Sequence, residues 1–128
     1  TDISERVLVH AAKGVYSSES VMSLPNRWKS AYFVPHGDSH YAVTNQMKQE
    51  VVFRRFNLMD PFPFRKKFHV IFCRNVMIYF DEHTRRKLIQ KFYDSLEPGG
   101  YLFIGHSETI SRLGTNFNYV RPAVYRKE

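Results

Sequence analysis

The chain has 128 residues, enough for one domain, and 43% of them are hydrophobic and 16% aromatic, which excludes disorder over the whole length. A single cysteine excludes an intrachain disulfide and a cysteine-built zinc site, and it fits the reducing cytoplasm. The net charge of +7 predicts an anionic partner, which can be nucleic acid, anionic lipid or an acidic protein surface.

Neither a membrane span nor a leader is visible in the sequence. No apolar run has the length that a membrane-spanning helix needs, and no basic-then-apolar segment opens the chain. We therefore expect a cytoplasmic protein without membrane insertion. The positive charge is concentrated in four short clusters, which also permit the plainer interpretation of a solvated surface: Arg54-Arg55, Arg65-Lys66-Lys67, Arg85-Arg86-Lys87 and Arg126-Lys127.

The first predicted element is a helix over about 4–13. Ser4 is a suitable N-cap and Gly14 a suitable stop. The helix carries an apolar face formed by Val7, Leu8, Ala11 and Ala12. Pro25 can open a second, short helix, and residues 45–50 form either a short helix or an irregular crossover.

A hairpin and a strand follow in the first half of the chain. Apolar segments flank the turn-like residues 36–39, which predicts an exposed hairpin over about 32–43. The β-branched and aromatic residues of segment 51–56 predict a strand, and Pro61 and Pro63 prevent its continuation.

The second half alternates strands with one clear helix. The apolar run 68–73 predicts a strand that is covered on both faces, as in parallel sheets. Asp81 caps a helix over about 81–96, and residues 101–104 predict another buried strand. The tail 117–126 predicts an antiparallel pair around its proline. Strands alternating with helices indicate an α/β fold with a parallel sheet.

Polar residues directly follow several of the predicted strands. In a parallel α/β sheet the ligand binds at the carboxyl ends of the strands, so this pattern predicts a binding site there. Ordinary loop starts and helix caps are the alternative explanation. The strand ends carry Thr1-Asp2, Asn57-Leu58, Arg74-Asn75 and Gly105-His106.

Four side chains at these ends have interpretable chemistry. Asp2 can accept hydrogen bonds from ribose hydroxyls, or it is a helix-start acid. Arg74 can hold a carboxylate through its planar guanidinium group, and Asn75 offers both a donor and an acceptor. Tyr79 presents a phenol in an otherwise apolar segment, or it is a core aromatic. Cys73 is expected to be a buried small hydrophobe.

Other site types find no support in the sequence. His106-Ser107-Glu108 contains the residue types of a hydrolase triad, but the nucleophile elbow is missing and sequence neighbours rarely form a triad. The six histidines lack metal-site spacing, so no metal is expected. No glycine-rich phosphate-binding motif is present.

Two segments stand out as a pair: Phe72-Cys73-Arg74-Asn75-Val76-Met77-Ile78-Tyr79-Phe80 and Leu96-Glu97-Pro98-Gly99-Gly100-Tyr101-Leu102-Phe103-Ile104-Gly105-His106-Ser107-Glu108. They closely resemble the CheR-type chemotaxis protein methyltransferases, and the resemblance covers essentially the whole chain. Asp2-Ile3 and Asn57-Leu58 also fall at the family's positions.

The resemblance implies a class I, Rossmann-like fold that binds S-adenosyl-L-methionine and releases S-adenosyl-L-homocysteine. It implies methylation of glutamate side chains in the acidic helical cytoplasmic region of methyl-accepting chemotaxis receptors. By position, Asp2 would hold the ribose hydroxyls, and Asn57 and Leu58 would border the adenine. Arg74 and Asn75 would line the cofactor pocket, and Tyr79 would lie close to the transferred methyl group.

The resemblance also implies that residues 1–128 are a partial methyltransferase domain. Its sheet would be mostly parallel with a C-terminal antiparallel hairpin, and the first strand with its glycine-containing cofactor loop would be missing. The hairpin at about 32–44 would be the family's small β-subdomain, here with a turn too short for docking a receptor tail. We expect the isolated piece to be inactive, to bind the cofactor poorly and to form edge-paired or swapped dimers.

Two rival functions belong to other classes. One is a non-catalytic protein-interaction module with a methyltransferase-like fold. The other is a basic nucleic-acid-binding domain, which the charge clusters permit but no motif supports.

Overall fold

The structure, a computed structural model, describes residues 1–111 and 113–128. The chain forms two compact units, Thr1–Asn57 and Leu58–Glu128. Both helices and strands occur in each unit, so the predicted mixed α/β character is confirmed. Within the described residues, no helix combines the length and the apolar character that crossing a membrane requires.

The first unit contains four helices: α1 (Glu5–Lys13), α2 (Ser18–Met22), α3 (Asn26–Tyr32) and α4 (Asn45–Gln49). The hydroxyl of Ser4 accepts the N–H of Val7, and Gly14 ends α1 in a left-handed conformation, as the sequence predicts. The apolar face of α1 is not buried, however, and Val7 is 44% exposed. Amphipathic spacing therefore predicted the helix correctly but not its packing.

A three-stranded antiparallel sheet completes the first unit. Its strands are β1 (Val15–Ser17), β2 (Phe33–His36) and β3 (His40–Val43), in the order β1-β3-β2. The predicted hairpin is present as β2 and β3, and Gly37 supplies the positive φ of its turn. The third strand, β1, was not predicted.

The strand predicted over 51–56 is wrong as a continuous element. Only one parallel bridge forms there, between Asp2 and Arg55. The Asp2 N–H donates to the Arg54 carbonyl at 3.3 Å, and the Phe56 N–H donates to the Asp2 carbonyl at 2.9 Å. The ladder ends after this bridge because the chain turns into α1 two residues beyond Asp2.

The second unit contains β4 (Phe68–Cys73), α5 (Glu82–Ser95), β5 (Leu96–Ile104), β6 (Asn118–Arg121) and β7 (Val124–Arg126). All five were predicted, although β5 begins earlier than expected. The strands lie in the order β4-β5-β7-β6. Only β4 and β5 are parallel, because the C-terminal hairpin adds two antiparallel pairs. This sheet is therefore less parallel than expected.

The core of the second unit lies between α5 and one face of this sheet. The buried side chains include Leu88, Ile89, Leu102 and Ile104, all at most 2% exposed. On β4, Phe72 is 70% exposed, and the prediction of a strand covered on both faces is wrong. A nearly continuous apolar run therefore does not establish that both faces are buried.

Candidate functional site

The parallel pair β4 and β5 brings two polar segments to the same edge of the sheet. Cys73 and Ile104 are paired in register, so Arg74-Asn75 and Gly105 leave the sheet side by side. Arg74 and Asn75 are exposed, whereas Gly105 is buried. The structure thus confirms that these strand ends lie together, as the sequence pattern predicts.

One carboxylate oxygen joins the two strand ends. Oε2 of Glu108 accepts the N–H of Gly105 at 2.7 Å and the N–H of Asn75 at 3.2 Å. Asn75 has a φ of 58°, in the left-handed region that asparagine tolerates better than most residues. A side-chain carbon at position 105 would lie 2.7 Å from that oxygen, so only glycine leaves room for this arrangement.

Tyr79 lies at the end of a short 3-10 turn, Met77–Tyr79, and is 80% exposed. The interpretation of Tyr79 as a core aromatic is therefore wrong. Met77 is the residue of this turn that enters the core, with 2% exposure. The phenol of Tyr79 is accessible to a ligand.

Cys73 is a buried core residue with 6% exposure, as expected. Burial, and to a smaller extent the nearby Glu108 carboxylate, raises the pKa of the Cys73 thiol to about 12. The thiol is therefore neutral at physiological pH and is no candidate nucleophile.

Leu58 packs against the core of the second unit, and its loop is held by a lysine on α5. The Lys91 ammonium group donates to the carbonyls of Leu58, Met59 and Asp60 at 3.1, 3.0 and 2.9 Å. The same ammonium group lies 5.3 Å from the centroid of the Phe62 ring. Lys91 therefore fixes the backbone that carries Leu58.

Asp2 and Asn57 belong to the first unit. Because the bridge between Asp2 and Arg55 is parallel, the chain segments that follow both residues leave it at the same end. Oδ1 of Asp2 accepts the N–H of Ser4 at 2.8 Å, which is the helix-start role of the carboxylate. The cofactor roles predicted for Asp2 and Asn57 stay predictions.

Sequence reasoning missed Glu108 and Lys91 as residues that shape these loops. The only sequence signal for Glu108 is that Gly105-His106-Ser107-Glu108 belongs to a segment resembling the CheR-type family. The chemistry of these residues did not indicate that Glu108 shapes a loop. For Lys91 the sequence offers no signal, because a lysine on a polar helix is ordinary. Among residues 1–111 and 113–128, no cluster of three histidine, cysteine or acidic side chains could hold a metal ion.

Comparison with known proteins places the chain in a family. The family model described as "CheR methyltransferase, SAM binding domain" matches residues 1–125. The "Chemotaxis protein methyltransferase" of Borreliella burgdorferi is 48% identical over 128 residues, covering 99% of this chain and 45% of that protein. The "Chemotaxis protein methyltransferase 2" of Vibrio cholerae is 41% identical over 94% of this chain and 43% of its own length.

A third relative, the "Chemotaxis protein methyltransferase Cher2" of Pseudomonas putida, is 35% identical over 94% of this chain and 44% of its own length. The chain thus spans less than half the length of these curated relatives. Since this model of an S-adenosylmethionine-binding domain matches nearly the whole chain, the protein belongs to the CheR methyltransferase family.

Proposed function

We propose that this chain is the cofactor-binding part of a chemoreceptor glutamate O-methyltransferase. The proposed substrates are glutamate side chains of methyl-accepting chemotaxis receptors, and the reaction takes place in the cytoplasm. The observation that carries the proposal is the family match over residues 1–125. The exposed Arg74 and Asn75 at one edge of the second unit's sheet support it, and so does the exposed Tyr79 in the turn that follows them in the chain.

The chemistry of the predicted cofactor residues fits an adenosine-containing ligand. A carboxylate such as that of Asp2 accepts hydrogen bonds from vicinal ribose hydroxyls. The Asn75 amide can both donate and accept, and Leu58 offers an apolar side chain to a base. Arg74 is exposed and can pair with a carboxylate through two parallel N–H groups.

The proposed reaction demands alignment more than acid–base catalysis. S-adenosylmethionine, when bound, supplies a methyl group that its sulfonium already activates. A glutamate side chain is ionised at neutral pH, so no residue must remove a proton from it. Tyr79 is proposed to orient the carboxylate for in-line attack, in which a carbon–oxygen bond forms as the carbon–sulfur bond breaks, and Arg74 is proposed to help hold the cofactor in place.

The net charge of +7 supports an acidic substrate. Positive surface potential raises the rate at which an acidic receptor segment encounters the protein, and added salt weakens this effect. The same charge would attract nucleic acid, but no recognition motif for nucleic acid accompanies it.

A methyl-transfer assay tests the proposal. The protein expressed from its complete reading frame is incubated with labelled S-adenosylmethionine and receptor-containing membranes, and base-labile methyl esters are counted. Arg74→Ala should lower kcat/KM by about 100-fold, because a misplaced reacting group costs that much. Arg74→Lys keeps the charge but loses the planar pair of donors and should recover little of the loss.

The matched control is Arg86→Ala, which removes an exposed arginine of α5 that pairs with Glu82. This variant should retain full activity. Absence of any base-labile methyl ester with the wild-type protein would contradict the proposed reaction. Receptor binding without methylation would instead favour a non-catalytic interaction module.

We further propose that methyl transfer requires more than these 128 residues. The chain spans less than half the length of its curated relatives, and 45% of the Borreliella protein. Calorimetric titration of the 128-residue chain with S-adenosylhomocysteine should therefore give weak binding. A dissociation constant on the order of one micromolar or below, about −8 kcal/mol, would contradict this expectation.

A further inference from the structure

Glu108 lies in a position that the proposed reaction does not explain. Its backbone N–H donates to the Gly105 carbonyl at 3.0 Å, so the chain folds back directly after β5. This turn directs the Glu108 side chain to the sheet edge. There its Oε2 accepts one N–H from the end of β5 and one from the end of β4.

We infer that Glu108 is a positioning residue that fixes Arg74 and Asn75 by tying the ends of β4 and β5 together. This inference rests on the proposed function, in which Arg74 and Asn75 line the cofactor pocket. The tie joins residues 33 positions apart in the sequence. It holds the Asn75 N–H while that residue is in its left-handed conformation.

The geometry requires a carboxylate or amide oxygen at this place. The left-handed conformation of Asn75 is unfavourable for a residue other than glycine, and its surroundings must offset the strain. The hydrogen bond from the Asn75 N–H to the Glu108 carboxylate is of the stronger, charge-assisted kind and helps to maintain this conformation. Gly105 permits the approach, because a side-chain carbon there would lie 2.7 Å from both Glu108 Oε2 and Asn75 Oδ1.

The second oxygen of Glu108 argues that the residue serves more than stability. Oε1 is buried and has no hydrogen-bond partner among the described residues. A buried acceptor without a hydrogen-bond partner destabilises the folded state, because it has lost its bonds to water. A carboxylate retained at this cost fits a role in placing neighbouring groups.

The test compares Glu108→Ala, Glu108→Gln and Gly105→Ala in the protein expressed from its complete reading frame. Calorimetry measures the Kd for S-adenosylhomocysteine, and kinetics separate the KM for S-adenosylmethionine from the KM for the receptor. Glu108→Ala should raise the cofactor Kd and KM by about 10- to 100-fold while the receptor KM stays within about twofold. Gly105→Ala should reproduce this pattern by displacing the carboxylate.

Glu108→Gln keeps one oxygen that can accept both N–H groups, so it should restore cofactor affinity to within about fivefold of wild type. Hydrogen exchange of the peptides containing residues 75 and 105 gives a readout without cofactor. Both peptides should exchange faster in Glu108→Ala and at the wild-type rate in Glu108→Gln. Ser107→Ala, at an exposed position of the same loop, is the matched control.

The possible failures are distinguishable. If the wild-type protein binds no S-adenosylhomocysteine, the proposed function is wrong and the positioning role falls with it. If wild type binds but Glu108→Ala binds equally well, only the positioning role is overturned. A loss of folding in Glu108→Gln as well as in Glu108→Ala, with no change in cofactor affinity per folded molecule, would also overturn it.

Discussion

Cys73 is buried in the core of the second unit, directly before the exposed Arg74. Its thiol keeps its proton because the low-dielectric surroundings disfavour the thiolate, and the Glu108 carboxylate adds to this effect. Adjacent positions of one strand end therefore have opposite roles: Cys73 serves packing, and Arg74 is available for binding.

The native thiol should resist alkylation. At pH 9, iodoacetamide should modify Cys73 far more slowly in the folded chain than in urea, as followed by mass spectrometry. The pKa is raised from 9.0 to about 12, so the folded state holds a proton that the unfolded state loses. Stability should therefore fall between about pH 9 and 12, and Cys73→Ala should lack this part of the decrease. Complete alkylation of the folded chain as fast as of free glutathione would contradict the expectation.

Among the elements, α5 shows which features the sequence predicts and which it does not. The Asp81 carboxylate caps the helix by accepting the Thr84 N–H at 2.8 Å, and Leu88 and Phe92 are buried as their spacing predicts. The other end of the helix depends on a distant residue. The Lys127 ammonium group donates to the carbonyls of Tyr93 and Leu96 at 2.7 and 2.9 Å.

In the sequence, Lys127 belongs to a charge cluster that is typical of a solvated surface. In the structure only 9% of this residue is exposed. Its ammonium group also lies 4.5 Å from the centroid of the Tyr93 ring. Lys127→Met should lower the free energy of unfolding by about 2 kcal/mol, because two C-terminal carbonyls lose a charged donor. Urea denaturation checks this. Lys87→Met, at an exposed position of α5, should change stability by less than about 0.5 kcal/mol.

Local patterns predicted most of the elements, since caps, proline positions and hydrophobic periodicity act within a few residues. They predicted α1, α5, the β2–β3 hairpin and the C-terminal pair. They failed where an element needs a partner that the pattern does not specify. Segment 51–56 forms a single strand-type bridge, between Arg55 and Asp2, and Phe72 on β4 remains exposed.

Prediction of the candidate site has the same limit: local patterns placed some of its residues, but not those that depend on distant partners. Arg74 and Asn75 could be placed at a sheet edge because strand alternation determines where polar residues leave a parallel pair. Glu108 and Lys91 could not be placed, because Asn75 lies 33 residues from Glu108 and the carbonyl groups that Lys91 binds lie 31 to 33 residues from it. Contacts of this kind depend on the final packing.

At the scale of the whole molecule, β4 combines exposed apolar side chains with a free edge. Val70 is 43% and Phe72 70% exposed, and among the described residues β4 pairs in its sheet only with β5. Such an edge is a template for pairing with another chain. The net charge of +7 opposes association until salt screens it.

We expect the 128-residue chain to self-associate as protein and salt concentrations rise. Phe72→Lys should shift the association to higher protein concentration, because it adds charge to the edge strand. Ile78→Lys adds the same charge at a 51% exposed position outside the strands and should have a smaller effect. Sedimentation velocity checks this, with circular dichroism to verify folding. Equal effects of both substitutions would indicate that net charge, and not the β4 edge, controls association.

The left-handed backbone of Asn75 restricts how this position can diverge during evolution. Glycine relieves the strain there, and aspartate tolerates the conformation, whereas valine, isoleucine and threonine would collide with their own backbone. Substitutions that accumulate at this position should therefore be limited to a few residue types, such as glycine and aspartate. Selection for the backbone angle and selection for the amide group would then leave different substitution patterns among descendants.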